Sequence, residues 1–263
     1  MTRIQRKVEL LQAEVDKDHQ SFFRLLVDGQ SIKYVTIDPG FYSGDDMCFG
    51  PSLVSLLPTL PAGDWNDGLV TKSETNGQPH FAHAIRTAFR GVENIWHETS
   101  VDYMNIVVGD KLRTGIYEVK SPLFNNDLIV AKFARFDWEI TYLENETTAY
   151  QWLESHNIGP RFLGHLTEDG RAIGFLIEHI KNARHAGPQD LEPCRAALSQ
   201  LHRLGIRHGD TNRFNFLIRG SAAVLIDFDS ARKCDDQHAL VEELEHLPNS
   251  LADLSRRGGG GLV

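Results

Sequence analysis

The chain has 263 residues, 41% of them hydrophobic and 24% charged, enough for one large domain or two lobes with a sizeable core. Its net charge of −9 argues against a general nucleic-acid or membrane-surface binder, and three scattered cysteines (Cys48, Cys194, Cys234) suggest neither a disulfide framework nor a zinc site. The opening MTRIQRKVELLQ carries no apolar signal core, and no stretch approaches 18 consecutive apolar residues, so a cytoplasmic or nuclear protein without a membrane span is expected.

In chain order, residues 1–98 mix strand-like runs, SFFRLLV and SIKYVTI, with long turn-rich connections, DPGFYSGDDMCFG and LPTLPAGDWNDG. Residues 99–178 read as β-strands around one helix. Residues 179–263 read as mainly helical with one hairpin, and the GGGG near the end as a flexible tail. Leu191, Cys194, Leu198, Leu201 and Leu204 recur at spacings of three and four, which predicts a helix over 190–204. Pro188 precedes it and Gly205 stops it. Two short apolar runs, NFLI and AVLIDF, flank RGSAA and predict a hairpin. The twelve histidines, with His80, His83 and His97 among them, form no metal-ligand pattern.

Between that helix and hairpin lies IRHGDTNRFNFLI, residues 206–218, with His208, Asp210, Asn212, Arg213 and Asn215 in one short polar loop. LIDFDSA follows, with Asp227 and Asp229 at the end of a strand-like run. Asp210, Asn215, Asp227 and Asp229 fall at one end of the helix–loop–hairpin unit. Carboxylates gathered in this way repel one another unless a cation lies between them. An oxygen-only set of Asp and Asn suits Mg²⁺, which prefers carboxylates, phosphates and its own waters. The loop is therefore expected to face a metal–phosphate group.

HGDTNRFN resembles the catalytic loop of the protein-kinase-like superfamily, which runs His-x-Asp, four residues, then Asn. IDFD resembles that superfamily's metal-binding Asp-Phe-Gly. HGD in place of HRD is similar to aminoglycoside and choline phosphotransferases and to the small atypical kinase of the tRNA threonylcarbamoylation complex. IDFD is similar to lipopolysaccharide and RIO-type kinases. The resemblance covers roughly residues 100–235. Residues 1–98 resemble an extension found on some fungal kinase-like proteins.

This resemblance implies an α+β chain with a bilobal protein-kinase-like fold: a β-rich N-terminal extension (1–98), an N-lobe (99–178) and a truncated, mainly helical C-lobe (179–263). It also implies site residues. DLIVAKFARF fits the strand whose Lys132 orients the ATP phosphates, with Leu128, Val130 and Lys132 alternating onto one face. EITYLENETTAYQWLESH fits the helix whose Glu pairs with that Lys; Glu144 and Glu146 both qualify, and Glu146 is preferred because it precedes the AYQWL packing face by one turn. RAIGFLIEHI fits the strand into the hinge, with Ile177 as gatekeeper and the backbone of Glu178 and Ile180 on adenine. Leu217 would floor the purine, and Gly109 and Gly115 would be the glycines of the phosphate-covering loop. Asn215 and Asp227, with Asp229 beside them, would hold Mg²⁺ on ATP. Asp210 would accept the acceptor's proton or orient its hydroxyl. His208 would hold the loop by a hydrogen bond. Arg213 would either steady the transferring phosphate or lie in solvent.

Two departures separate the chain from protein kinases. GDKLRTGIYEV has two glycines where G-x-G-x-x-G has three, as in antibiotic-type phosphotransferases. After Asp229 the sequence has 34 residues, too few for an activation segment and the helices that hold a peptide, and Asp229 replaces the Gly of Asp-Phe-Gly. The reading these favour is an ATP- and Mg-dependent phosphotransferase acting on a hydroxyl of a small molecule or other non-peptide acceptor. The alternatives are an atypical protein kinase or ATPase-type partner subunit, and a pseudokinase-like binding module. A homodimer or protein-partner contact, or completion of the acceptor pocket, is the expectation for residues 1–98.

Overall fold

The computed structural model describes residues 6–253 and residue 255, so the GGGG segment lies outside the described residues. The chain has mixed α and β content and divides into two compact units, residues 1–89 and 90–263.

The first unit is a five-stranded sheet in the order β1-β2-β3-β4-β5. β1 (Val8–Glu14), β2 (Ser21–Val27) and β3 (Ser31–Ile37) form an antiparallel meander; β4 (Asp67–Lys72) runs parallel to β3, and β5 (Pro79–Ile85) is antiparallel to β4. SFFRLLV and SIKYVTI are strands at their expected limits. The parallel step needs a crossover, which the first turn-rich connection supplies. That connection contains the short helix α1 (Gly44–Cys48), and a second, α2 (Gly50–Leu56), follows it before β4. Ser43 caps α1 by accepting the Asp46 N–H. Alternate residues of β2 and β3 point inward: Phe23, Leu25, Val35 and Ile37 are buried with Met47, Leu53, Trp65 and Val70.

The second unit opens with an extended segment, residues 90–98. Val92 N–H donates to the Ala172 carbonyl at 2.8 Å, and the Trp96 indole N–H donates to Thr147 O at 2.9 Å. The division between the two units falls before this segment.

A six-stranded sheet follows in the order β6-β10-β11-β9-β8-β7. Its strands are β6 (Ser100–Asp102), β7 (Val107–Arg113), β8 (Ile116–Lys120), β9 (Ile129–Phe133), β10 (Phe162–Glu168) and β11 (Arg171–Glu178). Helix α3 (Ile140–Trp152) lies on β11 and buries Ile140, Leu143, Thr147 and Tyr150, which recur at helical spacing.

The remainder holds α4 (Leu191–Arg203), which turns its Cys194–Leu198–Leu201 stripe inward, and α5 (Gln237–Ala252), which packs on α4. The hairpin β14 (Phe216–Arg219) and β15 (Ala222–Leu225) forms where expected, with β12 (Arg184–His185) beside β14. β13 (Ile206–Arg207) pairs with β16 (Arg232–Lys233). One apolar core joins the sheet to these helices through Tyr150, Phe175, Phe228, Leu198 and Leu247. Each such side chain contributes about 1.5–3 kcal/mol on burial, so sheet, helices and the loops between them are held as one body.

Candidate active site

β13 hands the chain to the polar loop, whose conformation is held from α5. Glu243, on the buried face of that helix, accepts the backbone N–H groups of His208 at 3.1 Å and Gly209 at 2.7 Å. His202 donates to the same carboxylate at 2.7 Å. Burial alone would push the Glu243 pKa up, but these donors outweigh it and hold it below the usual range. Gly209 has φ +86°, and a Cβ there would lie 2.6 Å from the Ser230 carbonyl, so the middle residue of HGD is confined to glycine. His208 is fully buried, its Nε2 donates to the Ile226 carbonyl at 3.1 Å, and burial depresses its pKa. It holds the loop by a hydrogen bond, the structural role expected of it.

The loop then aims its polar groups. Asp210 Oδ2 accepts from Asn212 Nδ2 at 2.9 Å and from Asn215 Nδ2 at 3.2 Å. Asn212 also caps the short 3₁₀ turn Arg213–Asn215 by accepting the Phe214 N–H. Asn215 is fully buried, and its Oδ1 has no hydrogen-bond donor. A buried orphan carbonyl oxygen is costly unless a cation completes it. Arg213 lies over the Phe214 ring, 4.7 Å from its centroid.

Pairing of β9 with both β8 and β11 fixes Lys132 at the centre of the sheet. Its Nζ stands 2.5 Å from Glu146 Oε2 and 2.5 Å from Asp227 Oδ1. The choice between the two helix carboxylates is thereby decided for Glu146. Glu144 points elsewhere, accepting the N–H groups of Glu93 and Asn94. Glu146 Oε1 also accepts the Phe228 N–H at 3.2 Å, so the residue after Asp227 is tied to α3. The Phe228 ring packs against Tyr150 and His208. Asp227 itself has φ +65°, an uncommon conformation for a non-glycine residue, which costs of order 1–3 kcal/mol and is found preferentially at functional sites.

Two buried carboxylates share one ammonium, and their titration follows from that. Burial raises Glu146 to about 7, with Lys132 opposing and Asp227 reinforcing the rise. Burial also pushes Asp227 upward, but Lys132 and Arg113 outweigh it and hold Asp227 below its ordinary value. Burial raises Asp229, and the neighbouring Asp227 charge adds to the rise. Burial pushes Lys132 down, but Glu146 and Asp227 together outweigh it and hold the ammonium above its ordinary value.

Lys132, Glu146 and Asp227 line one end of a cleft of about 240 Å³. Its apolar walls are Leu112, Ile116 and Val130 on the sheet side and Leu217 and Ile226 on the other, with Ile177–Ile180 along the back. Ile177, Glu178, Ile180 and Leu217 all line this cleft. The Glu178 N–H donates to the Arg161 carbonyl at 2.9 Å. Gly115 occupies the turn between β7 and β8, and Gly109 lies within β7 against the Glu118 carbonyl. Neither glycine is among the residues that line the cleft.

Arg113 was not singled out in the sequence. It ends β7, is 8% exposed and lines the cleft. Its Nη1 lies 3.9 Å from Asp227 Oδ2, and its Nη2 donates to the Phe214 carbonyl at 3.2 Å. Burial lowers its pKa, and Asp227 and Asp210 oppose that.

Among the described residues no group of three or more His, Cys, Asp or Glu side chains could by itself hold a metal. Mg²⁺ takes one or two carboxylates and completes its shell with phosphate oxygens and water. Asp227 and the orphan Oδ1 of Asn215 fit that donor set.

Residues 178–258 match the lipopolysaccharide kinase (Kdo/WaaP) family, whose members are kinases of the protein-kinase-like superfamily. The match covers less than a third of the chain, and it takes in Asp210, Asn215, Asp227, Asp229 and Glu243 but neither Lys132 nor Glu146. The resemblance to lipopolysaccharide-type kinases is thus found independently in the half that carries the polar loop. No curated protein matches the chain. Among the described residues no helix is long and apolar enough to cross a membrane.

Proposed function

We propose that residues 90–263 form a bilobal kinase-like phosphotransferase that moves the γ-phosphoryl group of ATP to a hydroxyl of a sugar or other non-peptide acceptor. One lobe is the six-stranded sheet with α3, the other the helices and hairpin after residue 178. The observation that carries this reading is Lys132 held at 2.5 Å by both Glu146 and Asp227, at the end of an apolar cleft. A lysine from a central strand, a glutamate from the following helix and an aspartate before Phe228 have no need of one another for packing. They are charges brought together at the cost of desolvation, which a functional site repays.

When bound, Mg·ATP supplies the transferable phosphoryl group and a metal that neutralises its oxygens. The protein's part is positioning and electrostatics. Asp227 and Asn215 would hold the metal, and Lys132, steadied by Glu146, would orient the phosphates. The apolar walls at Val130 and Leu217 would sandwich the base. Asp210, kept in orientation by Asn212 and Asn215, would accept the proton of the attacking hydroxyl. The matched family supports an acceptor of the sugar-hydroxyl class.

The test is a thermal shift and a transfer assay on the whole chain. A ligand at 100 times its Kd stabilises by roughly 2.7 kcal/mol, so millimolar Mg·ATP should raise the melting temperature. Asp227→Ala should abolish that rise. Asp210→Asn should keep it and lower turnover about 10²–10⁴-fold. A wild-type protein indifferent to Mg·ATP would end the reading.

A further inference from the structure

We propose that Arg113 grips the nucleotide phosphates in place of a glycine-rich loop, donating from its guanidinium to a phosphate oxygen beside Asp227. This rests on the phosphotransferase reading and gives a role to a residue that lies between the two glycines of GDKLRTGIYEV and outside the matched segment.

The first observation is that the β7–β8 turn has too little backbone for the task. Lys111 pairs with Tyr117 and Arg113 with Ile116, so only Thr114 and Gly115 connect the strands. The turn is tied to the neighbouring strand: the Gly115 carbonyl accepts the Phe133 N–H at 2.9 Å. Gly115 has φ +72°, and a Cβ there would lie 2.9 Å from the Phe133 carbonyl. A phosphate cradle needs several consecutive N–H groups turned toward one point. A two-residue turn fastened against β9 cannot offer them, and Gly109 lies back within the strand.

The second observation is the guanidinium itself. Arginine is rarely buried. Arg113 is 8% exposed and projects into the cleft from the strand end nearest the turn. Its Nη1 lies 3.9 Å from Asp227 Oδ2. Its hydrogen bond to the Phe214 carbonyl fixes the head beside the polar loop.

The third is the arrangement of charge. Lys132 and Arg113 flank Asp227, one at Oδ1 and the other at Oδ2. Lys132 already serves two carboxylates. A phosphate group arriving at a metal held by Asp227 needs a second cationic donor, and the planar fork of Arg suits phosphate oxygens better than a point charge. Arg113 has both the chemistry and the position.

The experiment titrates wild type, Arg113→Gln and Arg113→Lys calorimetrically with Mg·ATP and with adenosine, which shares the base and ribose but has no phosphate. A lost charge-assisted contact should weaken Mg·ATP binding about ten- to a hundredfold in Arg113→Gln. Adenosine affinity should stay the same, and Arg113→Lys should fall between. Equal Mg·ATP affinity in wild type and both variants would overturn the proposal. So would a proportionate loss for both ligands, which marks a purely structural role through Phe214. If Arg113→Gln does not fold, the Arg113→Lys comparison decides by the same criterion. A wild type that binds neither ligand would instead remove the phosphotransferase reading beneath it.

Discussion

Glu243 Oε1 accepts the Gly209 N–H at 2.7 Å, so one carboxylate on the last described helix fixes the backbone of the loop that carries Asp210. With His202 and the His208 N–H on the other oxygen, every neighbour of this carboxylate is a donor. Glu243→Gln puts an amide NH₂ against N–H groups. The expected loss is about 2–4 kcal/mol of stability, read by urea denaturation, with a fall in turnover larger than any change in KM. A Gln variant as stable and as active as wild type would contradict this role.

Lys132→Met leaves Glu146 and Asp227 buried beside each other without their ammonium. Breaking a buried pair from one side costs roughly 3–5 kcal/mol. The double variant Lys132→Met/Glu146→Leu should recover much of that loss, since it removes the stranded charge as well. It should not recover Mg·ATP binding. The comparison separates the fold's need for neutrality from the site's need for a cation, and equal stability of the single and double variants would refute it.

Acid should destabilise the protein in two windows. His165 is fully buried, and burial with the neighbouring His97 charge lowers its pKa from 6.5 to about 4. The unfolded chain therefore takes up this proton first, and stability falls as pH drops from 6.5 toward 4, by up to ~3 kcal/mol. Glu243 has a depressed pKa, so its contribution is present above its ordinary value of 4.5 and is lost as pH falls below it. Replacing His165 with Leu should make the upper window shallower, leaving the share of His185 and His208, whose pKa values burial also lowers, and spare the lower. A stability profile of the same slope in variant and wild type between pH 6.5 and 4.5 would exclude His165 as its source.

Residues 90–98 strap the second unit through Val92, Trp96 and the two N–H groups held by Glu144. A chain beginning at residue 90 should melt as one transition and keep its Mg·ATP shift. A chain beginning at residue 99 should be less stable, by about 3–5 kcal/mol, the scale of removing a large aromatic from a core. Identical denaturation midpoints for the two chains would show that the strap carries no stability.

The parts of the site that were legible from residues share one property: each belongs to a local pattern. Asp210, Asn215 and Asp227 sit at fixed offsets in a single helix–loop–hairpin, and Lys132 ends an alternating strand. Arg113 and Glu243 belong to no such pattern. GDKLRTGIYEV draws attention to its glycines, and Arg113 acquires its importance only when β7 brings it opposite Asp227, across more than a hundred residues. Glu243 had a fainter signal. It lies three residues after Leu240 and four before Leu247, both buried, so a carboxylate occupies the apolar stripe of α5. A charge on a buried face requires partners, but nothing in the helix names them. Helices α1 and α2 were hidden by their composition, since Gly, Pro, Ser and Asp signal turns as strongly as they signal caps. The choice of Glu146 over Glu144 came from helical phase, which a single turn of α3 was enough to carry.

The hold of Glu243 on His208 spans 35 residues of chain. During synthesis at about 5–20 residues per second, those residues take roughly 2–7 seconds to appear. Asp210, Asn215 and Asp227 all appear within that interval, ahead of the carboxylate that holds the His208 and Gly209 N–H groups. The backbone of the polar loop is therefore settled only once α5 has been made, after every other side chain of the site is already in the chain.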